Sequence, residues 1–487
     1  MTAKLLLKPH RRQFVLGTKP LFPRPDWQNH QLQPNCWLSY CPDLRINWSQ
    51  DLNGVEWGLL GLAVETTAQI TPERLIPQLS TAAVKQRYYA WAGRWLLIGD
   101  NEIHLDANGL LGCFYGTDAS GGIWLSSSLA LLAQIIQSEP REPRQLVYGQ
   151  GISWYTPPHT GFSGVERLLP SQIFHLARGQ VLPRPLLSAI EPHRPYEITL
   201  KTIKEALVTT LYNLGQLQQP VWLGLTAGYD SRLMLAIAKE AKLKFTTFTR
   251  IAERMSLADR LLPPKLAQKC RVIHRFLRHR PSLEQQARRA LVYEHARHNV
   301  SAGDAEPFIM GVRDSLRGIS FGGHGFAIAS GFHTLRQLPG SFDTPQIGAE
   351  QIAQLFDEPL DSSAVAGLVD WLTWIERYPQ PHLDWRDRFF LEQRQGGWLS
   401  SKEQVYDLSN LTRFPVLNAA RTYALLLSIP EEQRLNSLIQ VALLKQLQPQ
   451  LLEYPFNPDY GHFSRWERWQ LKLTNKLATY KAIFSTR

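Results

Sequence analysis

The sequence predicts two domains, a mostly β sandwich of mixed α+β type followed by an α/β domain with a parallel sheet. Three observations carry that expectation. Up to about residue 190, short apolar runs are separated by turn residues; prolines then crowd between Pro183 and Pro195; from Glu197 onward helical periodicity dominates around short strands. With 487 residues and 44% apolar composition the chain can bury two cores, and ordinary domain sizes favour two domains over one. The boundaries fall at 1–190 and 196–487.

In the first domain, residues 57–64 and 123–125 are apolar runs with the length of strands. Pro183, Pro185, Pro192 and Pro195 suit an exposed linker. Leu207, Leu211 and Leu214 then recur at helical spacing, residues 221–225 form an apolar strand, and residues 245–248 form another after an intervening helix. This alternation is what a parallel sheet flanked by helices needs. Beyond residue 350 the chain reads as almost purely helical.

Composition narrows the setting. No stretch approaches the ~18 apolar residues of a spanning helix. Lys4, Lys8, Arg11 and Arg12 surround only the short run Leu5, Leu6 and Leu7, so no secretory signal is expected. Cys36, Cys41, Cys113 and Cys270 include no C-x-x-C pair, which argues against a zinc site or a disulfide framework and for a reducing cytoplasm. The net charge of +11 arises from 53 basic against 42 acidic residues. Basic residues concentrate between Arg250 and Arg297, including Arg271, Arg275, Arg278, Arg280, Arg288 and Arg289, but no nucleic-acid module accompanies them, and nucleic acid is not the expected partner.

The strongest local signal follows the 221–225 strand. Thr226, Ala227, Gly228, Tyr229, Asp230 and Ser231 make a tight turn into a helix, where small residues let backbone N–H groups approach an anion and the helix aims its positive N-terminus at it. The segment resembles the S-G-G-x-D-S loop of the N-type ATP pyrophosphatases, in particular the asparagine synthetase branch, with threonine and alanine replacing a serine and a glycine. Five further segments resemble that family in order and spacing. They are residues 161–171; Ala258, Asp259 and Arg260 with Leu266, Ala267 and His274; Gly322, Gly323, His324 and Gly325 with Gly331 and Phe332; residues 413–418, with Asn418 replacing an acid; and residues 95–100 through 106–111 and 126–129. The last set resembles a class II glutamine amidotransferase domain.

The resemblance implies an Ntn-type αββα sandwich, then an ATP pyrophosphatase domain of the adenine nucleotide alpha hydrolase type with a helical C-terminal part. It implies ATP and Mg²⁺ as cofactors. Thr226, Ala227, Gly228, Tyr229, Asp230, Ser231, Asp259, Gly322 and Gly323 would hold the nucleotide, with Asp230 and Ser231 in catalytic positions and Asp230 supporting the metal. For Asp230 a helix N-cap role stays open, as does helix capping for Asp259. The reaction implied is adenylation of a small-molecule, peptide or polysaccharide carboxylate and amide formation with ammonia or an amine, of the kind found in β-lactam synthetase, peptide cyclases and polysaccharide gene sets. A homodimer is also compatible.

Other positions depart from the pattern. Phe326 and Ala327 stand where the family has adjacent acids, which leaves open a catalytically degenerate protein that binds a nucleotide or partner. His324, the polar side chain at the centre of the second glycine-rich loop, either serves the site or is simply a surface or packed histidine. Glu392 and Arg394, with Arg386, Asp387 and Arg388, form either a substrate clamp or an ion-pair network, and Lys445 either reaches a phosphate or faces water. Family glutaminases use an N-terminal cysteine; Thr2 stands there, and Cys36 and Cys41 have no free amine, so glutamine hydrolysis is not expected. In the tail 465–487, Trp466, Trp469, Leu473, Leu477, Tyr480 and Phe484 recur at helical spacing among Arg465, Arg468, Lys472, Lys476 and Lys481. That segment is either a final packed helix or a peripheral membrane contact.

Overall fold

Strand Glu56–Glu65 is apolar almost throughout because both of its faces are covered. Leu60 joins Leu96, Ile98, Ile103 and Leu105 in a core shared with Phe14, Leu16 and Leu38 of a facing sheet. Trp57, Leu59 and Ala63 point the other way and pack with Ile76, Val84, Tyr88 and Trp91 beneath helices Pro72–Leu75 and Thr81–Arg87. These assignments come from a computed structural model, which describes residues 8–141, 154–251, 255–278, 285–299, 316–330, 333–339, 347–357 and 363–464.

Two six-stranded antiparallel sheets result. One runs in the order Val165–Arg167, Phe114–Thr117, Ile123–Ser126, Phe14–Gly17, Cys36–Tyr40, Gln28–Gln33. The other runs Gln180–Pro183, Gln172–His175, Glu102–Leu105, Trp91–Gly99, Glu56–Glu65, Ile46–Gln50. Helix Leu129–Ile136 covers Val15, Phe114 and Trp124 on the outer face of the first, so the layers read helix, sheet, sheet, helix. Among the described residues four strands precede Glu56–Glu65, beginning with Phe14–Gly17. Strands such as Gln28–Gln33 are half-exposed and polar, so they carry no apolar run by which to be read.

The second half holds five parallel strands in the order His274–Arg278, Thr246–Ile251, Val221–Gly224, Gly318–Gly322, Leu411–Pro415. Leu207, Leu211 and Leu214 of helix Tyr196–Gly215 pack fully buried against this sheet's core. After Val221–Gly224 the chain builds outward on one side and then returns to the other. That reversal opens a crevice beyond the C-terminal ends of Val221–Gly224 and Gly318–Gly322. Beyond residue 350 the described residues are almost purely helical, as expected, with strand Leu411–Pro415 as the exception; five residues leave little periodic signal.

The junction between the halves is packed. Leu186, Leu187 and Ile190, within the proline-rich stretch expected to be an exposed linker, are buried with Leu200 and Ile203, and Leu62, Val64 and Ala92 of the sandwich enter the same core. Pro183, Pro185, Pro192 and Pro195 are themselves exposed, as expected, while the apolar residues between them turn inward. Polar groups are buried alongside. Arg94 donates to both Asp407 oxygens at 2.6 and 2.8 Å, and Gln13 donates to Asp407 at 2.7 Å. Asn418 donates to the Gly93 carbonyl at 2.7 Å and to Asp106 at 2.8 Å. Arg167, pulled down to about 9 by burial, is satisfied by Gly396, Asn299, Ser400 and Ser401.

The cluster around Glu392 is likewise internal. Arg388 pairs with Glu392 at 3.0 Å, Trp371 donates to the same carboxylate at 2.8 Å, and Asp387 lies between Arg336 at 2.7 Å and Arg434 at 3.4 Å. Arg394 stacks over Trp398 at 3.7 Å. This is a buried network, not a solvated one.

Removing one partner of a buried ion pair leaves the other charge without compensation, at a cost of about 3–5 kcal/mol. Asp407→Ala should therefore lower stability by that order, whereas replacing Arg94 and Asp407 together with Met and Leu should cost markedly less. Urea unfolding midpoints of the three proteins check this.

Candidate functional site

The 226–231 turn sits at the crevice, between strand Val221–Gly224 and helix Tyr229–Glu240. Gly228 is the helix N-cap and no side chain caps that end. Its first-turn N–H groups are thus open to an anion. Two hydroxyls hold the turn in shape. Thr226 Oγ1 and Ser231 Oγ lie 2.8 Å apart, the Thr226 N–H donates to Ser231 at 3.0 Å, and the Gly228 N–H donates to Thr226 Oγ1 at 3.3 Å.

Ala227 is fully buried, and its N–H donates to Asp259 Oδ1 at 2.8 Å. Asp259 also accepts from the Ser256 hydroxyl at 3.0 Å, while Ser256 caps helix Leu257–Lys269 through the Asp259 N–H. Asp259 therefore serves its helix and clamps the loop at once, and it occupies a donor that an incoming phosphate would otherwise use.

Asp230 is not the helix cap; it lies in the first turn, where its Oδ1 accepts from Gln440 at 3.0 Å. Burial holds its carboxyl above the usual carboxylate range, and the Gln440 bond only partly offsets this. Gly323, after strand Gly318–Gly322, presses directly on it. A Cβ at Gly323 would fall 2.4 Å from the Asp230 Cβ and 2.8 Å from its carbonyl carbon. Glycine is needed there for the approach of the two loops.

Together the loops line a pocket of about 290 Å³, with Thr226, Asp230 and Ser231 on one side and Gly322, Gly323 and His324 beside them. Glu403 and Arg413 form its far wall. Glu403 is 2% exposed; its Oε1 accepts from Arg413 Nε at 2.8 Å, and its Oε2 is buried with no hydrogen-bond partner. Arg413 lies 3.4 Å from exposed His324 and stacks on Tyr406 at 4.4 Å. Phe326 is fully buried in the core, and Ala327 starts the short helix Ala327–Ser330, so neither places a polar side chain here. Gly331 and Phe332 lie outside the described residues.

Among the described residues no cluster of three or more His, Cys, Asp or Glu side chains forms a cage for a metal. Two carboxylates facing one pocket fit Mg²⁺, which is usually held by one or two carboxylates together with substrate phosphates. Lys445 of helix Leu438–Leu447 is exposed and does not line the pocket; the residue of that helix that reaches the site is Gln440. Nor do Glu392, Arg394 or the 386–388 charges line it. Cys36 is half-buried on its strand, where burial pushes its thiol up, and Cys41 is buried. Thr2, Arg280 and the 465–487 tail lie outside the described residues, as does the Arg288 side chain.

A segment that the sequence did not single out braces the loop from behind. Arg232, fully buried, donates to the carbonyls of Leu451, Tyr454, Pro455 and Ala227, and lies 4.0 Å from the Phe456 ring. Phe456 in turn stacks on Tyr229 at 3.8 Å. Glu403, Gln440 and Phe456 belong to no local motif; only the fold brings them to the loop.

Gly323→Ala must force the two loops apart, since the contact it makes is with backbone and a Cβ rather than a flexible side-chain end. Overpacking of this kind costs about 1–3 kcal/mol. Thermal unfolding should report that loss, and any ligand bound at the loop should weaken with it, whereas Gly461→Ala, where no atom lies within 4 Å, should leave both unchanged.

No protein-family model matches this chain, and no curated protein matches it. Among solved structures, that of "the allosteric regulatory enzyme of purine biosynthesis" is similar with a TM-score of 0.23 and 8% identity, over 55% of this chain and 75% of that one. A likeness that slight carries no argument about function.

Proposed function

We propose that the protein is an ATP-dependent ligase resembling asparagine synthetase, which adenylates a substrate carboxylate and forms an amide with ammonia or a substrate amine, without hydrolysing glutamine. In this reading the sandwich is an Ntn-type amidotransferase-like domain without its nucleophile, and the parallel-sheet half is the ATP pyrophosphatase domain. The observation that carries it is the meeting of the 226–231 turn and the Gly322 and Gly323 turn at the sheet's reversal point, with Asp230 and Glu403 lining one pocket.

ATP, when bound, supplies the electrophilic α-phosphorus and pyrophosphate as leaving group. The open N-terminus of helix Tyr229–Glu240 and the Ser231 and Thr226 hydroxyls would face the phosphates. Asp230 would hold Mg²⁺, a role that also relieves the burial of its charge. The unpartnered Glu403 Oε2 would accept from a substrate amine or join the metal. The carboxylate substrate would be a small molecule, peptide or polysaccharide acid, in a cytoplasmic setting; among the described residues no helix is long and apolar enough to cross a membrane. The 465–487 tail would add either a packed helix or a peripheral membrane contact, and a homodimer fits this reading.

A second reading is a degenerate nucleotide-binding module. It is favoured by one contact, the Asp259 carboxylate on the Ala227 N–H, where a phosphate would have to compete.

Exchange of labelled pyrophosphate into ATP in the presence of candidate carboxylates separates the two, since only a ligase adenylates. Exchange is expected, and loss of exchange in Asp230→Asn with the fold intact assigns it to this loop; ATP binding without exchange for any carboxylate supports the module. The metal predicts a pH dependence. Because burial raises the Asp230 pKa and only the carboxylate ligates, Mg²⁺-supported ATP binding should tighten as pH rises through that raised value. In Asp230→Asn it should be at least about tenfold weaker, roughly 1.4 kcal/mol, and flat with pH. Calorimetric titrations across the acidic range check both.

A further inference from the structure

A second cavity, of about 210 Å³, lies between the sandwich and the parallel sheet. It opens toward the starts of strands Gly318–Gly322 and Leu411–Pro415, where Ile319 and Thr412 line it, and so at the opposite end of the sheet from the loop pocket. Four guanidinium groups, those of Arg12, Arg45, Arg94 and Arg413, meet two carboxylates there, Asp43 and Asp407.

Tracing the ion pairs leaves one charge over. Arg45 pairs with Glu73 at 3.0 Å, Arg94 with Asp407 at 2.6 Å, and Arg413 with Glu403 at 2.8 Å, while Asp43 is taken by Arg11 at 2.7 Å. Arg12 donates to the Leu411 carbonyl at 3.0 Å, and among the described residues no carboxylate pairs with it. A neutral carbonyl satisfies one N–H of a guanidinium, and the Arg12 charge feels Asp407 and Asp43 only from a distance, each of them already paired with another arginine. Burial pulls the Arg12 pKa down to about 10, and the nearby Asp407 and Asp43 only partly offset it.

The backbone holds Arg12 in place. Its φ is +56°, and that of His10 two residues earlier is +53°, left-handed conformations that long side chains disfavour. His10 is fixed in turn by donating its N–H to the buried His295 ring at 2.9 Å. A conformation of this kind persists only where its surroundings over-determine it, and the observed outlier then points to a constraint on where the side chain must lie.

We propose that this interdomain cavity binds a small dianion, of phosphate or dicarboxylate size, on the Arg12 guanidinium. The planar fork of arginine suits two oxygens of such a ligand, and Arg12, left without a carboxylate of its own, supplies opposing charge in the cavity wall. The site is separate from the loop pocket but shares Arg413 with it, since that side chain lines both. Occupancy of the cavity is therefore felt at Glu403 through the Arg413 pair.

The test titrates the full-length protein with inorganic phosphate and, separately, malonate, by calorimetry and by thermal shift. Saturable binding is expected for both and is weakened at least about tenfold by Arg12→Gln; malonate binding is unchanged by Ser231→Ala, which alters only the loop. Thr412→Asp, which puts a competing carboxylate into the cavity wall, should abolish the response and decides the matter alone where Arg12→Gln does not fold. Absence of saturable binding to the wild-type protein overturns the proposal. So does malonate binding that survives both cavity variants, or malonate binding lost in Ser231→Ala and kept in Arg12→Gln.

Discussion

The Arg94 and Asp407 pair is the constraint on which the rest of the molecule hangs. It joins the central strand Trp91–Gly99 of the sandwich to the residue that ends helix Ser400–Tyr406, and it is almost wholly buried. A bidentate guanidinium pair fixes direction as well as distance, so the helix bearing Glu403 and the strand bearing Arg413 are held in register with the sandwich. Both lead to the wall of the loop pocket. Burying such a pair gains little net stability; what it gives is one arrangement of the two halves. The apolar core that runs through the junction, from Leu62 and Ala92 to Leu200 and Leu207, supplies the stability itself.

The loop shows a similar division between shape and function. Its two hydroxyls bond each other, Asp259 holds the Ala227 N–H, and Arg232 ties the Ala227 carbonyl to the 451–455 carbonyls behind. The turn is thereby pre-formed, which lowers the ordering cost of any ligand. The same bonds occupy donors that a phosphate would use. What stays open is the uncapped start of helix Tyr229–Glu240 and the pocket beside Asp230. An anion entering there meets the positive helix end first, and displacing Asp259 from Ala227 would be a second, separable step.

The Asp407→Ala and Gly323→Ala outcomes rest on features of unequal legibility. The turn at 226–231 was readable because its chemistry is local: an apolar strand, small residues, then a helix, all within one stretch. Leu207, Leu211 and Leu214 announced their helix by spacing alone, and they are indeed the buried face. The proline-rich stretch was legible in part: its four prolines are exposed, while Leu186, Leu187 and Ile190 between them carry the burial. Strands Gln28–Gln33 and Ile46–Gln50 were illegible for a different reason: half-exposed edge strands need no apolar run. Glu403 and Gln440 were out of reach altogether, since each sits on an amphipathic helix like any other and becomes special only through what the fold sets opposite it.

Arg413 shows why the two cavities cannot be independent. It sits in the middle of the edge strand Leu411–Pro415, with Thr412 facing the interdomain cavity and Phe414 and Pro415 facing the loop pocket. Its guanidinium is stacked on Tyr406, bonded to Glu403 and close to His324, so it has little freedom to move without breaking at least one of these contacts. Glu403 has even less: one oxygen is spent on Arg413 and the other is buried without a partner. A buried carboxylate in that state is sensitive to any change in the field around it, because low polarity leaves Coulombic effects poorly screened. Charge added on the Arg12 side reaches Glu403 through one side chain, and charge added on the Asp230 side reaches it across the pocket. The fold has placed a buried carboxylate oxygen without a hydrogen-bond partner and a guanidinium without an ion-pair partner near the two ends of a single strand.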